Sequence, residues 1–489
     1  MKAKRMIATV LYFLSILILI SCIYANYTYL VKSFSQIVFL LQVPSQPGDM
    51  GMFFEWGLWC LLPSILLTVL YVVFLNHISK FIHFKWIQKI IIFFKRFYNS
   101  VAVGCLIFTL AFVIINYDVY GYMTKQIQKT EIYETYYRDP KEVQLKFPEQ
   151  KRNLIHIYLE SIESSFVSKE NGGISTQSYI KELEQLALDH INFSQHDLIG
   201  GSQTIIGTQW TIGAQVGQDA GIPLTLPIEG NSYTSTKSFL PGAYTIGNIL
   251  EDYGYHQVFL SGSKASFGGT ENFYQHGNYE IKDYDYMIEN GYLPSDYYKF
   301  WGYEDRLLFD FAKKELSLLA SQSEPFNLEM ITMDAHMPYG YECENCPKIS
   351  NDQYENVLAC QSKQVSEFIE WCQQQDFYEN TTIVITGDHN SMAQKFFDKL
   401  DKNFSRTPYN VFINTALPCT NNKNRQVSAL DFYPTILASM GVEIEGERLG
   451  LGTNLFSNQP TLLEELGWSL NTELQKKSDY YTHNIIGIK

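Results

Sequence analysis

Residues Asn153 to Ser161 read Asn-Leu-Ile-His-Ile-Tyr-Leu-Glu-Ser, and Thr382 to Asn390 read Thr-Ile-Val-Ile-Thr-Gly-Asp-His-Asn. Each is a short apolar run that stops at groups able to bind a metal, Glu160 in the first and Asp388 and His389 in the second. Runs of this length and composition predict strands. In an open α/β sheet, ligands bind just beyond the carboxyl ends of the strands. Two such ends carrying carboxylate and imidazole, far apart in the chain, predict one shared metal site.

The same pattern recurs around them. Strands are expected at Leu154–Leu159, Gln257–Leu260, Leu328–Met333, Thr382–Thr386 and Asn410–Asn414. Helices are expected at Thr176–Asp189, Thr211–Ala220, Ala243–Tyr253, Glu304–Ala320, Gln353–Gln374 and Ala429–Met440. This alternation predicts an α/β fold, a mostly parallel sheet with helices on both faces. Asp334 and His336 follow one strand, and Ser-Gly-Ser-Lys, ending at Lys264, follows another. A lone Asp-His pair carries little weight, because loops are polar. Four strand ends that deliver acidic, imidazole and amine groups to one sheet edge carry more, since chance would scatter them over both edges.

The glycine-rich stretch Gly200 to Pro223 predicts a loop that lets backbone approach a ligand, with Thr211 at the start of a helix. A hydroxyl there feels the positive end of the helix dipole, which favours an oxyanion and a nearby phosphate. A divalent ion on its oxygen would make it a nucleophile near neutral pH. By residue type alone, an ordinary capping threonine is the commoner case.

The first part of the 489-residue chain differs in character. Ile7 to Ala25, Trp56 to Leu75 (broken only by Pro63) and Val101 to Ile115, extended by aromatics to Tyr122, are apolar. Each approaches the roughly 20 residues needed to cross a bilayer. A cleaved signal peptide is the alternative for the first. No small-x-small site follows it cleanly and two further apolar runs come after, so an uncleaved span is expected. Lys2, Lys4 and Arg5 precede the first span, and Lys80, Lys85, Lys89, Lys95 and Arg96 lie between the second and third. The positive-inside rule then places the N-terminus in the cytoplasm and everything after about Tyr122 on the extracytoplasmic side of the cell membrane. Phe81 to Phe94 mixes cations with Phe, Trp and Ile and reads as an interfacial helix. The expected organisation is a three-span membrane anchor over 1–122, a connector over 123–151, a catalytic domain over 152–460 and a C-terminal tail over 461–489.

A net charge of −14 argues against nucleic acid as a partner. Cys22, Cys60 and Cys105 fall in the spans, and Cys343, Cys346, Cys360, Cys372 and Cys419 in the outer part, where disulfides persist. Cys343 and Cys346 form a lone C-x-x-C, for which a structural disulfide is a better reading than zinc or redox work. Cys346 with Cys360 is the preferred pair. His156 reads as a core histidine, and His256 and His276 as local hydrogen bonders. Asp431 reads as a helix cap and Glu163 as a solvated face. Most Tyr and Phe residues read as core, although those near Phe267 to Tyr274 could floor a sugar site.

Several motifs together resemble a known family. They are Tyr-Leu-Glu-Ser, the Gly-Thr-x-Trp-Thr-x-Gly loop ending in Gly-Ile-Pro-Leu (Gly221 to Leu224), Thr-Met-Asp-Ala-His-Met-Pro (Thr332 to Pro338) and Thr-Gly-Asp-His. Trp-Gly-Tyr-Glu-Asp (Trp301 to Asp305) and Arg-Leu-Gly-Leu-Gly-Thr-Asn-Leu (Arg448 to Leu455) join them. Over roughly Asn153 to Phe456 the chain resembles the lipoteichoic acid synthase and phosphoglycerol transferase group of the alkaline phosphatase and sulfatase superfamily. The last motif is closer to the phosphoglycerol transferases that modify glycans.

The resemblance implies that Glu160, Asp388, His389 and a nucleophilic threonine hold one divalent ion, manganese with magnesium as the alternative. The nucleophile falls at Thr211, with Thr208 its rival. His336 would contact phosphate or protonate the departing group. Lys264 and Phe267 would bind substrate, whereas Gly269 stands near where polymerising synthases carry an arginine. The Cys/Ser-x-Pro-x-Arg signature of sulfatases is missing after the loop, which argues against sulfate ester hydrolysis. The implied activity moves glycerol phosphate from phosphatidylglycerol to a surface or periplasmic glycan through a phosphothreonine. Phosphoethanolamine transfer, lipoteichoic acid polymerisation and an inactive glycan-binding membrane protein are the rivals.

Overall fold

Strand β1, Asn153–Leu159, lies inside a six-stranded sheet and is buried along its whole length. Its continuous apolar run suits a strand covered on both faces. The sheet also contains β2 (His256–Ser261), β3 (Glu280–Lys282), β4 (Phe326–Ile331), β5 (Thr381–Gly387) and β6 (Asn410–Ile413), in the order β3-β2-β4-β1-β5-β6. All neighbours are parallel except β6, which runs antiparallel to β5. The computed structural model describes residues 2–29, 34, 37–38, 50–76, 84–225, 239–337, 339–397 and 404–487. The chain divides into two units, Met1–Thr124 and Lys125–Lys489.

Side chains alternate across the sheet, as the two-residue strand period requires. Ile155, Ile157 and Leu159 enter one core with Leu328, Met330, Ile383 and Ile385, covered by helices Asp305–Leu319 and Gln353–Gln373. Leu154, Val384 and Phe412 enter the other, against helices Ile246–Asp252 and Phe432–Ser439. The expected α/β class is the observed one. The register pairs Leu159 with Gly387, so Glu160 and Asp388 leave adjacent strands at the same level.

Some boundaries differ from expectation for identifiable reasons. β4 stops at Ile331 rather than Met333, because the Met333 and Asp334 amides donate to the Asp305 carboxylate instead of a neighbouring strand. The helix expected from Ala243 starts at Ile246, where Thr245 and Asn248 form a capping box. The helix expected from Thr176 starts at Lys181, since the Tyr179 amide is taken by the Phe166 carbonyl. β3 was not anticipated: it is short, charged and at the sheet edge, with no apolar signal.

Residues 125–151 and 461–487 pack onto the sheet unit. Leu145–Lys146 pairs antiparallel with Glu443–Ile444, and Tyr133 stacks on Tyr480 with ring centroids 6.1 Å apart. Leu462, Leu463, Leu470, Leu474 and Tyr481 are buried. Cys346 and Cys360 form the expected disulfide, with the Cys343 sulfur 3.4 Å from that of Cys346.

In the first unit, Lys4–Thr28, Phe53–Asn76 and Tyr98–Asn116 are helices long and apolar enough to cross a membrane. The second carries a π-turn over Gly57–Leu61, in which the Leu62 amide donates to the Gly57 carbonyl. Pro63 follows at once; its ring and missing N–H disrupt the regular ladder there. Lys85–Arg96 is helical, while 81–83 of the expected interfacial stretch lie outside the described residues.

Gly387 shows how tightly the carboxyl-terminal edge of the sheet is built. A Cβ placed there would lie 2.0 Å from the Ile162 carbonyl oxygen. Gly387→Ala is expected to cost about 1–3 kcal/mol by overpacking, read as a lowered thermal midpoint of the detergent-solubilised protein.

Candidate metal centre

Glu160, Asp388 and His389 are fully buried at the carboxyl ends of β1 and β5. One donor atom from each lies within 4.8 Å of the other two. His389 Nε2 is 3.3 Å from Asp388 Oδ2 and 3.7 Å from Glu160 Oε1. Thr211 is the first residue of helix Thr211–Ala220, and its hydroxyl lies 3.4 Å from Glu160 Oε2 and 3.5 Å from His389 Nε2. Thr208 is buried elsewhere, its hydroxyl donating to the Ile205 carbonyl at 3.0 Å. The fold therefore gathers Glu160, Thr211, Asp388 and His389, and gives Thr208 a local bond.

Each member is oriented by a second layer of bonds. Asp388 Oδ1 accepts the Ser161 and His389 amides at 2.8 and 2.7 Å, whereas Oδ2 is buried with no hydrogen-bond donor. His389 Nδ1 lies 3.0 Å from the Asn390 carbonyl, which can only accept. Nδ1 therefore carries the hydrogen, and the neutral ring presents the Nε2 lone pair to the cluster. The Ser161 hydroxyl donates to Glu160 Oε1 at 2.6 Å, and Thr332 Oγ1 accepts the Glu160 amide at 3.0 Å. Ser161 holds φ at 60°, a left-handed conformation uncommon for serine and frequent at functional sites.

The electrostatics suit a divalent cation. Burial, and then the neighbouring Glu160 carboxylate, push the Asp388 pKa up to about 7. Burial pulls the His389 imidazole down, but Asp388 and Glu160 outweigh it and raise it. An orphaned buried carboxylate oxygen, a second carboxylate, an imidazole lone pair and a hydroxyl form an oxygen-rich set with one nitrogen. That set fits a divalent ion.

Other sequence-predicted residues take their own places. His336 is half-buried, with Nδ1 3.0 Å from the Met337 carbonyl and its ring 4.6 Å from that of Trp301. Its hydrogen is thus on Nδ1, leaving Nε2 as the acceptor in the neutral ring. Lys264 Nζ is ion-paired to Asp285 at 2.7 Å. The Phe267 side chain lies outside the described residues, but the Phe267–Gly269 turn borders the Thr211 helix: a Cβ on Gly268 would sit 3.7 Å from Ile212. His256 bonds Gln322 and Glu280, and His276 contacts the Phe239 carbonyl. Asp431 accepts the Ser428 amide at 2.8 Å in a capping box.

Two roles were not legible. Glu163 is no solvated face: it is fully buried, ion-paired to Arg406, and accepts the Ser391 amide at 2.6 Å. A carboxylate four residues past a strand gives no sign of burial, because its partner arrives from remote sequence. Asp334 is not among the metal-facing groups; it accepts the Asp305 amide at 3.2 Å while Asp305 accepts the Asp334 amide. This reciprocal strap fixes the loop that carries His336.

Asp388 binds its proton more tightly folded than unfolded. In metal-free protein its ionisation therefore lowers stability as pH rises from near 4 toward 7. Metal needs the ionised form and displaces that proton. The rise in melting temperature on adding Mn2+ should accordingly grow from pH 5.5 to pH 8, and this growth with pH should be lost in Asp388→Asn. Arg406→Ala should leave Glu163 buried and unpaired, a loss of about 3–5 kcal/mol visible as a shifted denaturation midpoint.

Residues 152–442, more than half of the chain, match the Sulfatase family. Phosphoglycerol transferase I of Escherichia coli (strain 55989 / EAEC) and that of Shigella boydii serotype 18 are each 28% identical over 345 residues, 67% of this chain. The chain spans only 41% of the length of these relatives. Among solved structures, the lipoteichoic acid synthase LtaP of Listeria monocytogenes matches with TM-score 0.50 and 18% identity, over 65% of this chain and 79% of that one. The lipooligosaccharide phosphoethanolamine transferase EptA of Neisseria meningitidis, an integral membrane protein, matches with TM-score 0.51 and 13% identity, over 89% and 84%. These two likenesses concern the fold. With its three apolar helices the chain is a membrane protein, and through residues 152–442 it belongs to the Sulfatase family.

Proposed function

We propose that the chain is a membrane-anchored phosphoglycerol transferase. It moves glycerol phosphate from phosphatidylglycerol to a glycan outside the cytoplasm, through a phosphothreonine on Thr211. One observation carries this reading: the Thr211 hydroxyl stands at a helix N-terminus, 3.4 Å from Glu160 and 3.5 Å from His389. The 28% identity to phosphoglycerol transferase I supports the choice of donor.

A divalent ion held by Glu160, Asp388, His389 and Thr211 would neutralise phosphodiester charge and lower the pKa of the hydroxyl. Manganese suits this set, and magnesium shares its oxygen preference. Thr211 Oγ1 attacks phosphorus and forms a P–O bond, while the P–O bond to diacylglycerol breaks. His336, protonated at Nε2, gives that proton to the departing diacylglycerol oxygen, and the Thr211 proton passes to solvent. The neutral His336 then takes the proton of the incoming glycan hydroxyl. That oxygen bonds to phosphorus as the P–O bond to Thr211 breaks, Thr211 Oγ1 takes a proton back from solvent, and the ester is formed on the glycan. The amide end of the Thr211 helix favours the anionic group throughout. Lys264 adds cationic charge and Phe267 an apolar surface for the substrate.

The apolar helices keep the site within reach of lipid head groups. The Lys and Arg residues flanking the spans favour an extracytoplasmic catalytic unit.

Incubation with head-group-labelled phosphatidylglycerol should place label first on Thr211 and then on carbohydrate. Thr211→Ala should lower transfer by roughly 10³-fold or more while the thermal midpoint stays near wild type. Undiminished transfer by that variant sinks the assignment. Label arriving from phosphatidylethanolamine, or accumulating as glycerol phosphate polymer, overturns the donor or the acceptor instead.

A further inference from the structure

On the opposite face of β1 from the Ile155 and Ile157 core lies a second buried cluster. His156 on β1 is paired in register with Glu329 on β4, and Asp219 comes from the Thr211–Ala220 helix. One donor atom from each lies within 4.8 Å of the other two, and all three residues are buried. Like the metal centre, the cluster combines two buried carboxylates with one imidazole. Glu329 Oε1 accepts from the Tyr279 hydroxyl and, at 3.1 Å, from Asn327 Nδ2, whereas Oε2 is buried with no donor. That is the division seen between the two oxygens of Asp388.

Asp219 is oriented by hydroxyls, accepting from Tyr158 at 2.7 Å and from Tyr274 at 3.4 Å. His156 Nε2 lies 3.1 Å from Thr386 Oγ1. With Nε2–H donated there, Nδ1 presents a lone pair. Nδ1 faces Asp219 Oδ1 at 3.8 Å, and the buried Gln218 amide lies beside it.

Two carboxylates and an imidazole lone pair, drawn together in a dry interior with unmet acceptors, call for a shared positive charge. We propose that His156 Nδ1, Asp219 and Glu329 Oε2 hold a second, structural divalent ion of the zinc or manganese type. Nitrogen and oxygen donors suit both metals. Its three named ligands are all buried, away from the site that substrate must enter. It ties β1 and β4 to the far end of the helix that begins at Thr211.

Metal content decides the matter. Full-length protein is purified in detergent without chelator, from cells supplied with Mn2+ and Zn2+, and analysed by inductively coupled plasma mass spectrometry. Two ions per chain are expected in the wild type, one in Asp388→Asn, one in Glu329→Gln and none in the double variant, with circular dichroism confirming the fold. One ion in the wild type that disappears in Asp388→Asn overturns the proposal and leaves Asp219 and Glu329 sharing a proton. Two ions in Glu329→Gln overturn the ligand set. One ion kept in Asp388→Asn but lost in Glu329→Gln upholds the proposal and counts instead against metal at the Thr211 site. Should Glu329→Gln fail to fold, the wild type against Asp388→Asn decides alone.

Discussion

Parallel pairing of β1 with β5 forces two carboxylates together in a place without water. Leu159 opposes Gly387, so Glu160 and Asp388 emerge side by side. The burial that makes the strands pair well also strips solvent from both carboxylates, and Glu160 then adds to the cost of charging Asp388. His389 relieves part of this from 3.3 Å, and its own raised pKa records the same field. A divalent ion would resolve the remainder. The surrounding architecture serves to hold this unfavourable arrangement in place.

That support is a layer of directed hydrogen bonds rather than apolar packing. Ser161 accepts a left-handed backbone so that its amide can reach Asp388 and its hydroxyl Glu160. The Asn390 carbonyl selects the His389 tautomer. The Asp305–Asp334 strap ends β4 early and turns the chain toward His336. Glu163 and Arg406 pin the segment after His389 through Ser391. The Ser161–Glu160 and His389–Asn390 bonds join neighbours, while the others join residues remote in sequence; each positions a group whose usefulness depends on angle as well as distance.

The membrane unit uses the same economy. Its spans are apolar, yet Trp56 Nε1 donates to Ser21 at 3.0 Å, Thr109 to the Ser15 carbonyl at 3.2 Å and Tyr117 to the Cys22 carbonyl at 2.6 Å. Bonds of this kind between helices add direction where lipid and side chain are equally apolar.

Strand-length apolar runs, their alternation with helical segments and the groups at their ends were legible in the chain alone, because periodicity and burial are local properties. So were the three apolar helices, the Cys346–Cys360 pair as a preference, and Thr211 as the first residue of a helix. The choice of Thr211 over Thr208 was not legible: three residues separate two identical hydroxyls, and only the helix start directs one of them at Glu160 and His389. Glu163 as a buried partner of Arg406, Asp334 as a strap and the His156–Asp219–Glu329 cluster were hidden for the same reason. A side chain's charge state and direction depend on neighbours brought by strand register and helix docking, and sequence spacing does not encode those neighbours.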